Sequence, residues 1–258
     1  MRISSMMSMA VAVAATFGAV SAAQAGIQVG GTRLIFDAKT DQREASLPVR
    51  NKGETPYVIQ TFVDDGAGGA KTPFLTTPAT FRLDGGKEQS VLVRHVAKKG
   101  VKLPEDRESV YWLDVKEIPP TDKANGKTNT LRIAVLTRIK VFYRPAGLTG
   151  AAADAPTALT WDVVPNPTGQ GVALKVHNPT PYHVTFSKID IAGPQAESIN
   201  VDMVAPKSDL IIPVKSVQKA GPVQFSYTTI NDFGAVTPAT SVTAQPASAQ
   251  ASADKPAQ

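Results

Sequence analysis

Residues 131–145 read LRIAVLTRIKVFYRP. Leu131, Ile133 and Val135 fall at every second position, the period of a strand with one face to bury. Arg132, Arg138, Lys140 and Arg144 are threaded through the same stretch. A strand that is part core and part cationic has two jobs, and the rest of the chain must say which.

Outward from this stretch the sequence is strand-like almost throughout. Short runs rich in Val, Ile, Thr and Phe alternate with turn signals about every ten residues, the pattern of an all-β sandwich. On the N-terminal side the predicted strands are Gln28–Phe36, Ala45–Asn51, Tyr57–Asp64, Thr80–Leu83, Ser90–His95 and Ser109–Ile118, followed by Leu131–Tyr143. Seven strands suffice for one immunoglobulin-like sandwich. A small, featureless stretch, LTGAAADAP, then marks a boundary, and a second set follows: Leu159–Val164, Val172–His177, His183–Ile191, Ser198–Met203, Asp209–Pro213, Val223–Asn231 and Val236–Val242. The predicted organisation is all-β with two immunoglobulin-like sandwich domains, 26–147 and 148–244. Residues 245–258, poor in large apolar side chains, are expected to be a disordered tail.

The first 25 residues belong to neither domain. Arg2, an apolar run from Met6 to Val20, and Ala23-Gln24-Ala25 have the layout of a secretory signal peptide with its cleavage site. No later segment is apolar for long enough to span a bilayer, so export as a soluble protein is expected, without membrane insertion.

Composition narrows the chemistry. The 258 residues contain no cysteine, which excludes thiol catalysis, disulfides and Cys-based zinc sites. The net charge of +5 is spread among acidic residues, unlike the concentrated basic stripe with stacking aromatics of a nucleic-acid binder. His95, His177 and His183 have no metal-ligand spacing, and GAGGAKT lacks the Gly-Lys-Ser/Thr ending of a phosphate loop. No GxSxG elbow occurs. No metal, cofactor or catalytic residue is expected.

Several blocks together resemble one family. GTRLIF (31–36), LPEDRESVYWLDVKEIPP (103–120), LRIAVLTRIKVFYRP (131–145), HNPTPYHVTF (177–186) and INDFGA (230–235) are similar to the signature blocks of PapD-like periplasmic pilus-assembly chaperones of the chaperone–usher pathway, in family order. The missing cysteines and the short connection after Ile118 resemble the short-loop subclass. Phe62 stands where the family often has Trp, and PATFRL replaces the usual Pro-Pro-Leu-Phe-Arg block.

The resemblance implies a boomerang of two sandwiches around a cleft. It also implies a client: a pilus or fimbrial subunit whose sandwich lacks its last strand, later passed to an outer-membrane usher. The chaperone lends a strand, here Leu131, Ile133 and Val135 facing the client, with Ala134 and Leu136 facing home. Three buried aliphatic side chains contribute roughly 5–9 kcal/mol gross, about 1.5–3 each, less the ordering cost. Arg33 and Lys140 match the family's two basic residues that anchor the subunit's C-terminal carboxylate. Glu108, Arg144 and Asp232 match an ion network between the domains. Two other readings compete: a secreted immunoglobulin-like structural or adhesin subunit, and a hydrolase on a sandwich scaffold. The sequence leaves open which subunits are clients and whether an idle chaperone caps itself as a homodimer.

Overall fold

The computed structural model describes residues 26–40, 42–69, 72–96, 100–120 and 133–247. The expected signal peptide (1–25), Leu131, and residues 248–258 of the expected tail lie outside the described residues.

The N-terminal sandwich packs two sheets face to face. One orders its strands β1 (Ile27–Val29), β3 (Glu44–Asn51), β7 (Glu88–His95) and β5 (Phe74–Thr77); the other orders β2 (Arg33–Asp37), β9 (Val135–Arg144), β8 (Ser109–Ile118), β4 (Tyr57–Asp64) and β6 (Thr80–Leu83). Alternation selects the inner faces. Ile59 and Val63 of β4, Leu113 and Val115 of β8, and Ile139 and Val141 of β9 meet Leu47, Val49, Val91 and Val93 of the opposite sheet in one core.

The expected single strand Gln28–Phe36 is two strands in different sheets. The chain crosses over at Gly30-Gly31-Thr32, where glycine is needed because a Cβ on Gly30 would collide with Pro48 and one on Gly31 would crowd Leu47. Phe74–Thr77, too short to stand out in the sequence, is a strand because β7 supplies its ladder from Phe74↔His95 to Thr77↔Leu92.

The C-terminal domain has its own core around Trp161, whose ring makes edge contacts with Phe225 (centroids 4.8 Å apart) and Phe186 (5.8 Å). Its strands are β10 (Thr160–Pro165), β11 (Val172–Asn178), β12 (Val184–Ile191), β13 (Glu197–Ile199), β14 (Met203–Val204), β15 (Ser208–Val214), β16 (Val223–Thr229) and β17 (Thr240–Pro246). The predicted strand Ser198–Met203 is divided between β13 and β14. Val236 is bridged only singly to Ile230, and the last ladder starts at Thr240.

The expected tail boundary at 245 is corrected by β17. Gln245 pairs with Asp162 and Pro246 with Val163, parallel to β10. β16 pairs with β17 from Thr240 to Ala244 and β10 takes over at Gln245 and Pro246, so backbone pairing carries the strand past the expected boundary without large side chains.

The opening stretch is also corrected. The paired strand begins at Val135, and Ile133 precedes it. Ile139 and Val141 point into the home core, so the odd-numbered face is the home face of β9. Val135 and Ile133 continue that parity beyond the core and are 47% and 67% exposed. Leu136, expected to face home, lies on the outer face opposite Lys116 and is 48% exposed. The cause is the pleat: parity carries Leu136, Arg138 and Lys140 to one face together.

Candidate functional site

β9 changes neighbours along its length. β8 pairs with all of it, from Val135↔Glu117 to Tyr143↔Ser109. On its other side β2 pairs only from Lys140↔Arg33 to Arg144↔Asp37. Among the described residues, Val135–Ile139 are therefore an open sheet edge that closes at the Arg33–Lys140 pair. An open edge exposes unpaired N–H and C=O groups, a template for another strand.

The two cations at the end of this edge sit between the domains. Lys140 Nζ is paired with Asp202 of the C-terminal domain and lies 5.5 Å from the centroid of Trp112, its cross-strand partner on β8. One Arg33 terminal nitrogen donates to the Ile230 carbonyl, also in the C-terminal domain, at 2.9 Å. The rest of that guanidinium is less well served. Its carbon stands 5.7 Å from the Phe142 ring centroid, and Nε is buried without a hydrogen-bond partner among the described residues. Burial lowers the Arg33 pKa, opposed by Asp232 and Glu108. It remains a cation, since guanidinium is protonated throughout the accessible range. Beside it a cavity of about 290 Å³ separates the domains, walled by Phe142, His183, Thr185 and Ile230.

A second cationic group lies deeper. Arg144 Nε donates to Glu108 (2.6 Å), and its two terminal nitrogens donate to the two oxygens of Asp232 (2.6 and 2.7 Å). Burial opposes the charge on Arg144, but these carboxylates raise its pKa further. Each partner is placed by a sequence block. In INDFGA, Asn231 Oδ1 accepts the N–H groups of Phe233 and Ala235 (both 3.0 Å), closing the turn that presents Asp232. Gly234 has φ +80°, and its α-carbon approaches Thr32 of the first domain closely enough that a Cβ would collide with the hydroxyl. In HNPTPYHVTF, buried Asn178 donates to the carbonyls of Tyr182 (2.7 Å) and Ala205 (3.0 Å), shaping a turn whose Pro181 carbonyl accepts the Glu108 N–H (2.8 Å).

His183 completes this group, although sequence reading set it aside with the other histidines. Its backbone N–H and Nδ1 both meet Glu108 Oε1, at 3.0 and 2.8 Å. A carboxylate accepts only, so Nδ1 carries a proton. The sequence signal was available: His183 follows the Asn-Pro turn directly. His177 instead pairs with Asp209 at the surface, and His95 stacks on Tyr143 with centroids 4.5 Å apart.

A third cluster, unforeseen in the sequence, occupies the outer face of the N-terminal sheet. Arg138 donates to Asp114 (2.8 Å) and to both oxygens of Asp64 (2.7 Å), with Trp112 under its guanidinium at 5.2 Å. Burial and the neighbouring Asp64 push Asp114 up to about 6. Burial also acts on Asp64, but the Gly66 N–H, Asp114 and Arg138 hold it below the usual range.

Two immunoglobulin-like sandwiches with an open strand edge beside a cationic interdomain cleft define the class of protein. The family model for the pili and flagellar-assembly chaperone PapD N-terminal domain matches residues 26–149, and that for the pili assembly chaperone PapD C-terminal domain matches residues 154–241. The chain belongs to the PapD-like family of pilus-assembly chaperones. A probable fimbrial chaperone, YadV of Escherichia coli K12, is 39% identical over 224 residues, spanning 83% of this chain and 88% of the relative. Another, LpfB of E. coli O157:H7, is 40% identical over 212 residues, spanning 81% and 84%. The crystal structure of the YadV chaperone covers 85% of this chain and 100% of its own at TM-score 0.71 and 36% identity. The SafB chaperone of Salmonella enterica, solved in complex with the SafA pilin, has TM-score 0.68 and 26% identity over 84% of this chain and 95% of its own. Among the described residues no helix is long and apolar enough to cross a membrane.

Proposed function

We propose that this chain is an exported, periplasmic chaperone that holds pilus subunits by donor-strand complementation and hands them to an outer-membrane usher. The open edge of Val135–Ile139, ending at Arg33 and Lys140, carries this reading. A client strand adding to that edge makes main-chain bonds along it. Its incomplete sandwich receives the apolar side chains of Leu131, Ile133 and Val135, the first of which lies outside the described residues. Backbone bonds contribute about 0.5–1.5 kcal/mol each and give direction, not identity.

Register comes from the closed end. A one-residue slip would turn every apolar side chain to the wrong face, and a terminal carboxylate held by fixed cations prevents the slip. Charge-assisted bonds contribute about 1.5–3 kcal/mol each, and Arg33 lines the interdomain cavity with its described hydrogen bond going to a neutral carbonyl, not to a carboxylate. Glu108, Arg144, Asp232 and His183 have a structural role in this account, holding the two domains at the angle that forms the cleft. No ATP enters: release follows when another subunit's strand replaces the borrowed one and the client folds further.

Periplasmic co-expression of candidate subunits with wild type, Arg33→Ala and Lys140→Ala tests the anchor. Recovery of soluble subunit is expected to collapse in both variants while the chaperone accumulates normally. Equal recovery in all three removes the anchor.

A further inference from the structure

We infer that Asp202 sets how readily the chain accepts a carboxylate, by occupying Lys140 until a strand-borne terminal carboxylate displaces it. The inference rests on the anchor reading above and adds a residue to it. Lys140 is not a bare cation: its side chain is 11% exposed, and its amine is already paired with a carboxylate of the second domain. Asp202 itself is 63% exposed at the side chain, while its carbonyl accepts the Phe186 N–H at 3.0 Å. The backbone is pinned and the side chain is at the surface, so the carboxylate can swing away without unfolding its loop.

The consequence is an exchange of like for like. An incoming carboxylate gains a lysine contact only as Asp202 loses one, so Lys140 gives little net affinity to a small free acid. What such an acid lacks, a paired strand provides: backbone bonds along Val135–Ile139 hold the terminus beside the amine at high effective concentration. Arg33 then adds its charge with no resident carboxylate to displace among the described residues, its described hydrogen bond being to the Ile230 carbonyl. Asp202 thus sets a threshold: it weakens every carboxylate at Lys140 by the same factor, and one delivered on a docked strand has the further bonds to displace it. Its departure also removes one contact between the domains, linking capture to the cleft.

The probes are two synthetic ten-residue peptides of alternating Val and Thr, one ending in a free carboxylate and the other in an amide. Each is titrated calorimetrically into wild type, Asp202→Asn, Asp202→Ala, Lys140→Ala and the Lys140→Ala/Asp202→Asn double variant, with melting curves confirming the fold. Removing one largely exposed competitor is expected to tighten the acid peptide about 2–5-fold. The amide peptide should be unchanged, and Asp202→Asn should have no effect once Lys140 is gone. An acid-over-amide preference that falls in Lys140→Ala but is unaltered in both Asp202 variants overturns the role of Asp202 and leaves the anchor standing. A preference absent from wild type, or unaltered in Lys140→Ala, overturns the anchor reading and this inference with it.

Discussion

Arg33 and Lys140 are register partners in the parallel pair of β2 and β9, and they stand where the free edge of β9 ends. Towards Val135 the edge has β8 on one side only; towards Arg144 it is covered on both. Two cations that sequence separation places more than a hundred residues apart are brought side by side by one ladder.

Val135 and Ile133 allow the donor-strand proposal to be tested apart from the fold. Neither belongs to the home core, so Ile133→Asp and Val135→Asp should leave the melting temperature within about one degree, as surface changes do. Subunit binding should be lost in both. A melting-point drop of many degrees would place these side chains in the chaperone's own packing.

Glu108 is the most tightly committed member of the interdomain network. Its side chain is 1% exposed and serves Arg144 and His183 at once. Glu108→Ala would leave a buried cation short of a partner, at a cost of about 3–5 kcal/mol. Chemical denaturation measures it, and a loss below ~1 kcal/mol would contradict the network.

Asp232→Asn should be milder, because that carboxylate is partly exposed. The expected loss is about 1–2 kcal/mol, the value of charge-assisted bonds partly replaced by neutral ones. Small-angle scattering should show a wider spread of interdomain angles. An unchanged melt and scattering profile would contradict it.

Gly234 is required twice, for its positive φ and for its approach to Thr32. Gly234→Ala should cost about 1–3 kcal/mol, and Gly234→Ala with Thr32→Ala should recover the part due to collision. No recovery in the pair would assign the whole cost to backbone conformation.

Asp114 titrates near neutrality in the fold. Its carboxyl ordinarily ionises at 3.8, and burial next to Asp64 raises this to about 6. The folded state therefore binds the proton more tightly than the unfolded chain. The stability from that proton is complete below the ordinary value and is lost as pH rises through about 6. Asp64, held low, has the opposite sign and favours folding at higher pH. Between pH 5 and 7 the Asp114 contribution should fall, and Asp114→Asn should flatten the profile while keeping an acceptor for Arg138. Identical slopes in variant and wild type would contradict the assignment.

Alternation made much of this fold legible: β4 and β8 run as the sequence reading placed them, and β4 buries every second side chain over much of its length, whereas β8 alternates only from Val115 to Ile118. The glycine pair at 30–31 was read as strand interior, since its reason is the approach of Pro48 and Leu47, which only the packed sheets reveal. The blocks containing Arg33, Lys140, Glu108, Arg144 and Asp232 could be picked out by likeness to a family, whereas alternation alone would have left those side chains as solvent charges. Asp202 and Asp64 lie outside those blocks, and Asp114 and Arg138, though inside them, were given no role by the likeness. Single acidic residues on separate strands become partners only through register, as Asp114↔Arg138 does.

The structure of this chain bound to a pilus subunit is the most direct test. Ile133 and Val135 are expected inside the client's sandwich, a client strand should lie along Val135–Ile139, and its terminal carboxylate should sit between Arg33 and Lys140. A client docked on another surface, with that edge still bare and Lys140 still on Asp202, would contradict the account.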